Sequence, residues 1–114
     1  MGRIGKPYKE KLLEEVTALH YQHCYTGSYT GAGGGTQKTI SLPFTPKHIE
    51  ILDPTGNDIW IKNNQISGKY AFLSENGTDY DYAIEIDTSL MKVGGNGSNY
   101  CNYAARTYYY TIWG

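Results

Sequence analysis

From Tyr21 onward, apolar and polar residues alternate with a period of two in short runs, and this pattern restricts the fold more than any other feature. A period of two places successive side chains on opposite faces of an extended strand. Tyr21, His23 and Tyr25 fall on one face of the first such segment, and Gln22, Cys24 and Thr26 on the other. The runs that follow are Thr39 to Leu42, His48 to Leu52, Asp58 to Lys62, Lys69 to Ser74, Tyr80 to Asp87, Leu90 to Val93 and Arg106 to Trp113.

Residues suited to turns separate these runs. Asp53-Pro54-Thr55-Gly56-Asn57 combines proline and glycine, and Glu75-Asn76-Gly77-Thr78 carries the Asn-Gly pair favoured in tight hairpins. No helical pattern lies between the runs to serve as a crossover. The expectation is therefore an all-β, antiparallel β-sandwich or jelly-roll-like domain of about eight short strands. Ile49, Ile51, Ile59, Ile61, Phe72, Ile84, Ile86 and Ile112 are the expected core.

A different pattern precedes the strands. Pro7 followed by Leu12, Leu13, Val16, Leu19 and His20 places the apolar residues near helical spacing, with Glu10, Lys11, Glu14 and Glu15 around the other side. This predicts a short amphipathic helix from Tyr8 to Leu19 behind a basic arm with Arg3 and Lys6. Isolated helices under roughly 12 to 15 residues are marginal in water, so the Leu12, Leu13 and Val16 stripe must pack on the domain or on another subunit. The division is an arm and helix over 1–20, for attachment or oligomerisation, and a β-sandwich over 21–114.

With 114 residues the chain suits one domain, and its formal net charge of -1 gives no general attraction to nucleic acid. Fourteen glycines supply turns, and twelve tyrosines supply amphipathic contact area at low entropic cost. No apolar run approaches the roughly 20 residues of a membrane span, and the charged start is unlike a signal peptide. Cytoplasmic synthesis and reduced thiols at Cys24 and Cys101 are the corresponding expectations.

Particular residues also carry a resemblance. Tyr29-Thr30-Gly31, the glycine-rich loop after it, Lys38 to Ile49, Leu90-Met91-Lys92-Val93-Gly94, and the ending Cys101-Asn102 with Arg106 to Gly114 follow one another in the order seen in β-sandwich domains of tailed-bacteriophage structural proteins. The chain resembles that family from Tyr29 to Gly114. It departs where Pro43 replaces a common glycine and where Leu90-Met91 replaces a Gly-Phe pair. The resemblance implies a non-enzymatic virion protein: a head decoration or cement protein bound to the major capsid protein or other virion proteins, frequently a homotrimer. The alternative it implies is a tail-fibre or tail-tip module for a host receptor or surface glycan. Absence of long repetitive or coiled-coil sequence favours decoration.

His20, His23 and Cys24 are zinc-ligand types, but neighbouring strand residues point apart, so no metal is expected there. Asp79, Asp81, Glu85 and Asp87 alternate with Tyr80, Tyr82, Ile84 and Ile86, as on the solvated face of a half-buried strand. Asp53 and Asp58 lack the spacing of a helix-loop-helix calcium site and instead close a turn. The loop from Gly31 to Thr36 lacks the lysine and following helix of a phosphate-binding loop and reads as a flexible connection. Asn76-Gly77-Thr78 and Asn96-Gly97-Ser98 match the glycosylation pattern and read as turns. No nucleophile stands beside a patterned base, so neither catalysis nor a cofactor is expected. Contact surface remains: Tyr100, Tyr103, Tyr109 and Trp113, with Leu12, Leu13 and Val16, are the candidate interface or ligand-contact residues.

Overall fold

The computed structural model describes residues 23–53, 58–63, 65–74 and 76–114. The predicted helix, with Leu12, Leu13, Val16 and His20, lies outside the described residues, as does the turn at 54–57. The strands are β1 (Cys24–Thr30), β2 (Lys38–Ser41), β3 (His48–Asp53), β4 (Asp58–Asn63), β5 (Ala71–Leu73), β6 (Thr78–Tyr80), β7 (Ile84–Asp87), β8 (Leu90–Val93) and β9 (Thr107–Trp113). They form a six-stranded sheet in the order β1-β9-β3-β4-β5-β6 and a three-stranded sheet in the order β2-β8-β7. Every named pairing is antiparallel. The domain is the all-β sandwich that the alternation requires.

Between the sheets lie Tyr29, Tyr108, Tyr110, Ile112, Ile49, Ile51, Trp60 and Leu73 from the larger one, and Ile84, Met91 and Val93 from the smaller. The rings of Tyr29 and Tyr108 stack at 5.3 Å, and the Tyr29 hydroxyl donates to the Cys101 carbonyl at 2.7 Å. Burying a phenol this way gains apolar area while its one polar group stays bonded. Beneath Tyr110, β1 carries Gly27, because any Cβ there would overlap the tyrosine ring.

Of the expected core, Ile49, Ile51, Ile84 and Ile112 are fully buried, and Ile86 packs against them. Ile59, Ile61 and Phe72 belong instead to the opposite face of the large sheet, because Trp60 and Lys62 take the inward positions on β4 and Ala71 and Leu73 those on β5. The Lys62 side chain reverses the apparent phase. Its ammonium is buried and donates to the carbonyls of Ile66 (2.7 Å), Ser67 (3.2 Å), Gly68 (2.9 Å) and Tyr70 (2.8 Å), so the lysine ties down the β4–β5 connection from within.

Two further expectations are corrected. The run Tyr80 to Asp87 breaks into β6 and β7, on different sheets, with Tyr82 at φ 55° in the turn between them. The glycine-rich loop is a packed element. Gly31 N–H donates to Arg106 O, Gly33 N–H to Asn102 O, and Gly35 N–H to the Asn99 side chain. Fully buried Asn102 accepts from Ala32 N–H at 2.8 Å and donates to Thr36 O at 2.6 Å. A Cβ on Gly31 would strike the Tyr103 carbonyl, so the glycine serves close backbone approach. The Asn-Gly hairpin stands as read, with Leu73 opposite Thr78 and Gly77 at φ 66°. Asp53 and Asp58 are cross-strand partners closing the β3–β4 hairpin.

Candidate functional site: the outer face of the large sheet

Strand register defines what the six-stranded sheet presents away from the core. One row runs Ser28, Tyr109, Leu52, Ile59 across β1, β9, β3 and β4. The next runs Thr26, Thr111, Glu50, Ile61, Phe72, Asp79. A third holds Cys24, Trp113, His48 and Asn63. Tyr109 is 52% exposed, Leu52 41% and Ile59 38%, and Ile61, Phe72 and Trp113 are half-buried.

Small side chains on β1 and large ones on β9, β3 and β4 make a groove of about 490 Å³. Leu52, Ile59 and Tyr109 supply its apolar surface, while Thr26, Ser28, Thr111 and Glu50 supply polar groups. The Glu50 carboxylate meets His48 Nε2 at 3.0 Å, and the His48 ring lies 5.2 Å from that of Trp113. An apolar floor with a few polar side chains suits contact with another molecule's apolar residues and oriented hydrogen bonds.

Of the candidates from sequence, the structure brings Tyr109 and Trp113 to this one face. Tyr100 lies elsewhere, half-buried against Trp60 (5.5 Å) and Tyr80 (5.0 Å) beside the core. Tyr103 is exposed on the loop before β9, with the Arg106 guanidinium 4.5 Å over its ring. Arg106 also reaches Asp53 at 2.8 Å. Leu52, Ile59 and Glu50 were missed. Leu52 could have been found from sequence, since it breaks the alternation of β3 by following Ile51.

The other sequence candidates are dispersed. His23 packs on Phe44 (5.1 Å) and Cys24 faces outward on β1. Asp79 belongs to the large sheet, Glu85 and Asp87 to the small one, and Asp87 pairs with Lys92 at 3.0 Å. Among the described residues no three His, Cys, Asp or Glu side chains converge. Cys24 and Cys101 are both free thiols. Burial pushes the Cys101 thiol and the Tyr29 phenol well above their ordinary pKa values, and nearby Asp53 adds to both effects.

No family model matches the chain, and no solved structure matches it. Among curated proteins it is similar to transmembrane emp24 domain-containing protein 4 of Homo sapiens and to the protein of the same name from Mus musculus. Each is 25% identical over 97 residues, covering 82% of this chain and 41% of the relative. The chain thus spans less than half the length of the curated relatives it matches. These relatives are mammalian transmembrane proteins, and they overturn the expected bacteriophage decoration or tail function and the expected virion location. The earlier motifs are short strand-and-turn segments, such as Thr39-Ile40 before Pro43 and the Tyr108 to Tyr110 run in β9, which a sandwich of any origin can need. No described helix is long and apolar enough to cross a membrane.

Proposed function

We propose that this chain is a non-catalytic protein-binding domain that takes an extended, apolar segment of a partner on the outer face of its six-stranded sheet. The observation that carries this reading is the row Tyr109, Leu52, Ile59, which sets three large exposed apolar side chains on adjacent strands beside a groove. Covering such side chains releases water at roughly 25 cal/mol per Å² of apolar area. Glu50 and the Thr26, Ser28 and Thr111 hydroxyls orient the partner through hydrogen bonds. The likeness to transmembrane emp24 domain-containing protein 4 supports a domain type that occurs within longer, membrane-anchored proteins.

Selection of displayed random peptides on the purified chain tests this. The expected result is a set of apolar peptides whose binding is lost with Leu52→Glu or Tyr109→Glu and kept with Tyr103→Ala. Both glutamate positions are already exposed, so thermal melts should stay near the parent. Peptides that bind the Leu52→Glu and Tyr109→Glu variants as well as the parent would refute the assignment.

A further inference from the structure

The two sheets present four edges, and β1 differs from the other three. The β6 edge has three residues including Asp79, the β2 edge four including Lys38, and the β7 edge four including Glu85 and Asp87. Shortness and charge are how natural edges avoid pairing with another chain. β1 has seven residues, Cys-Tyr-Thr-Gly-Ser-Tyr-Thr, with neither charge nor proline, and it pairs with β9 residue for residue without a bulge.

Hydrogen-bond phase shows which groups face outward. His23 exchanges both backbone bonds with Gly114, and Gly31 N–H donates to Arg106 O, so the odd-numbered residues of β1 bond to β9. Cys24, Thr26, Ser28 and Thr30 therefore direct their N–H and C=O groups to the open edge. Among the described residues no backbone hydrogen bond reaches them.

We propose that β1 is a self-association edge, at which two copies of this chain pair antiparallel about a two-fold axis at Gly27. Three features favour a second copy over an unrelated strand. First, Tyr25-Thr26-Gly27-Ser28-Tyr29 reads nearly the same in both directions. An antiparallel junction centred on Gly27 sets Thr26 opposite Ser28 of the other copy, Tyr25 opposite Tyr29, and Cys24 opposite Thr30. Second, this register aligns the outward-directed residues with each other, so Thr26 and Ser28 form hydrogen-bonded pairs along the full strand. Third, the paired side chains suit one another: hydroxyl faces hydroxyl on the outer face, and exposed Tyr25 falls opposite Tyr29 of its mate, where the second copy's edge shields its ring from water. The two grooves then meet across the axis, since Thr26 and Ser28 line each.

A junction of one strand pair is smaller than the roughly 1,600 Å² of a standard interface, so a dissociation constant on the order of 10–100 µM is expected. Sedimentation velocity of the full chain from roughly 1 to 500 µM should show a monomer giving way to a dimer. Ser28→Pro removes an outward N–H and no bond to β9, and should weaken the dimer at least about tenfold with the fold intact by circular dichroism. T26K and S28E should each weaken self-association, and their mixture should recover a heterodimer, because the register sets position 26 of one copy against position 28 of the other. Leu52→Glu, which disables the groove, should leave self-association unchanged. A parent chain that stays monomeric throughout, a dimer indifferent to Ser28→Pro, or a mixture no more dimeric than its components would overturn the proposal.

Discussion

Replacing Lys62 by methionine tests how much one buried ammonium contributes to the fold. The lysine is 3% exposed, and four carbonyls surround its Nζ at 2.7 to 3.2 Å. Three ammonium protons serve these four acceptors. At about 1.5–3 kcal/mol for each hydrogen bond to a charged group, three such bonds contribute about 5–9 kcal/mol, against several kcal/mol to dehydrate the ion. Burial accordingly lowers the Lys62 pKa, with Glu85 and Asp79 acting in the opposite direction. The balance leaves about 2–4 kcal/mol of net stabilisation. Methionine fills the volume and donates nothing, so Lys62→Met should lose that amount, a fall in Tm of roughly 10–25 °C. Urea melts and calorimetry at neutral pH measure it. Hydrogen exchange should show the 65–70 connection opening first, since its carbonyls lose their common donor. A variant within about 0.5 kcal/mol of the parent would refute the argument, because dehydration would then cancel the four contacts.

Other consequences are open to measurement. Gly27→Val should destabilise by about 2–4 kcal/mol, because its side chain meets the Tyr110 ring. Combining it with Tyr110→Ala should cost less than the sum of the two changes, and simple additivity would contradict the steric cause. Thr88 holds φ 53° in the two-residue turn between β7 and β8, so Thr88→Gly should raise stability by about 1 kcal/mol. Unchanged or lowered stability would show that its hydroxyl bond to Asp87 O at 2.6 Å outweighs the strain. Burial raises the pKa of Cys101 and Tyr29, so the unfolded chain loses these protons first as pH rises. Their contribution should be complete below about pH 8.5 and lost as pH climbs toward the folded-state values. Urea midpoints measured at about pH 7.5, 9 and 10.5 should fall, and Cys101→Ala should remove the earliest part of the decline.

Much of the architecture was legible because sandwich strands must alternate, and seven of the nine described strands lie close to runs read from sequence. The face assignments failed where a charged residue was inside. Lysine at position 62 marks an outward face by the usual rule, and that phase turns Ile59 and Ile61 inward. The loop carbonyls that make Lys62 an inward residue belong to Ile66, Ser67, Gly68 and Tyr70, and nothing local announces that they will converge. The same error concealed the candidate site, since Ile59 and Phe72 were placed in the core. Tyr109 and Trp113 meet on one face because they stand four residues apart on one strand. Tyr100 and Tyr103 were grouped with them by proximity in the chain, which a loop does not preserve in space. The glycine loop illustrates a related limit: its rigidity comes from Asn102, some 70 positions away.

The side-by-side placement of β1 and β9 sets a condition on how the molecule can be made. The first described strand has no partner in the large sheet until residues 107–113 have been synthesised, so its backbone groups wait in solvent until those residues emerge. A topology of this kind folds slowly, because the closing contact joins the first and last of the described strands. During that interval β1 is uncharged and open on both edges, and nascent chains on neighbouring ribosomes are its nearest competitors for pairing.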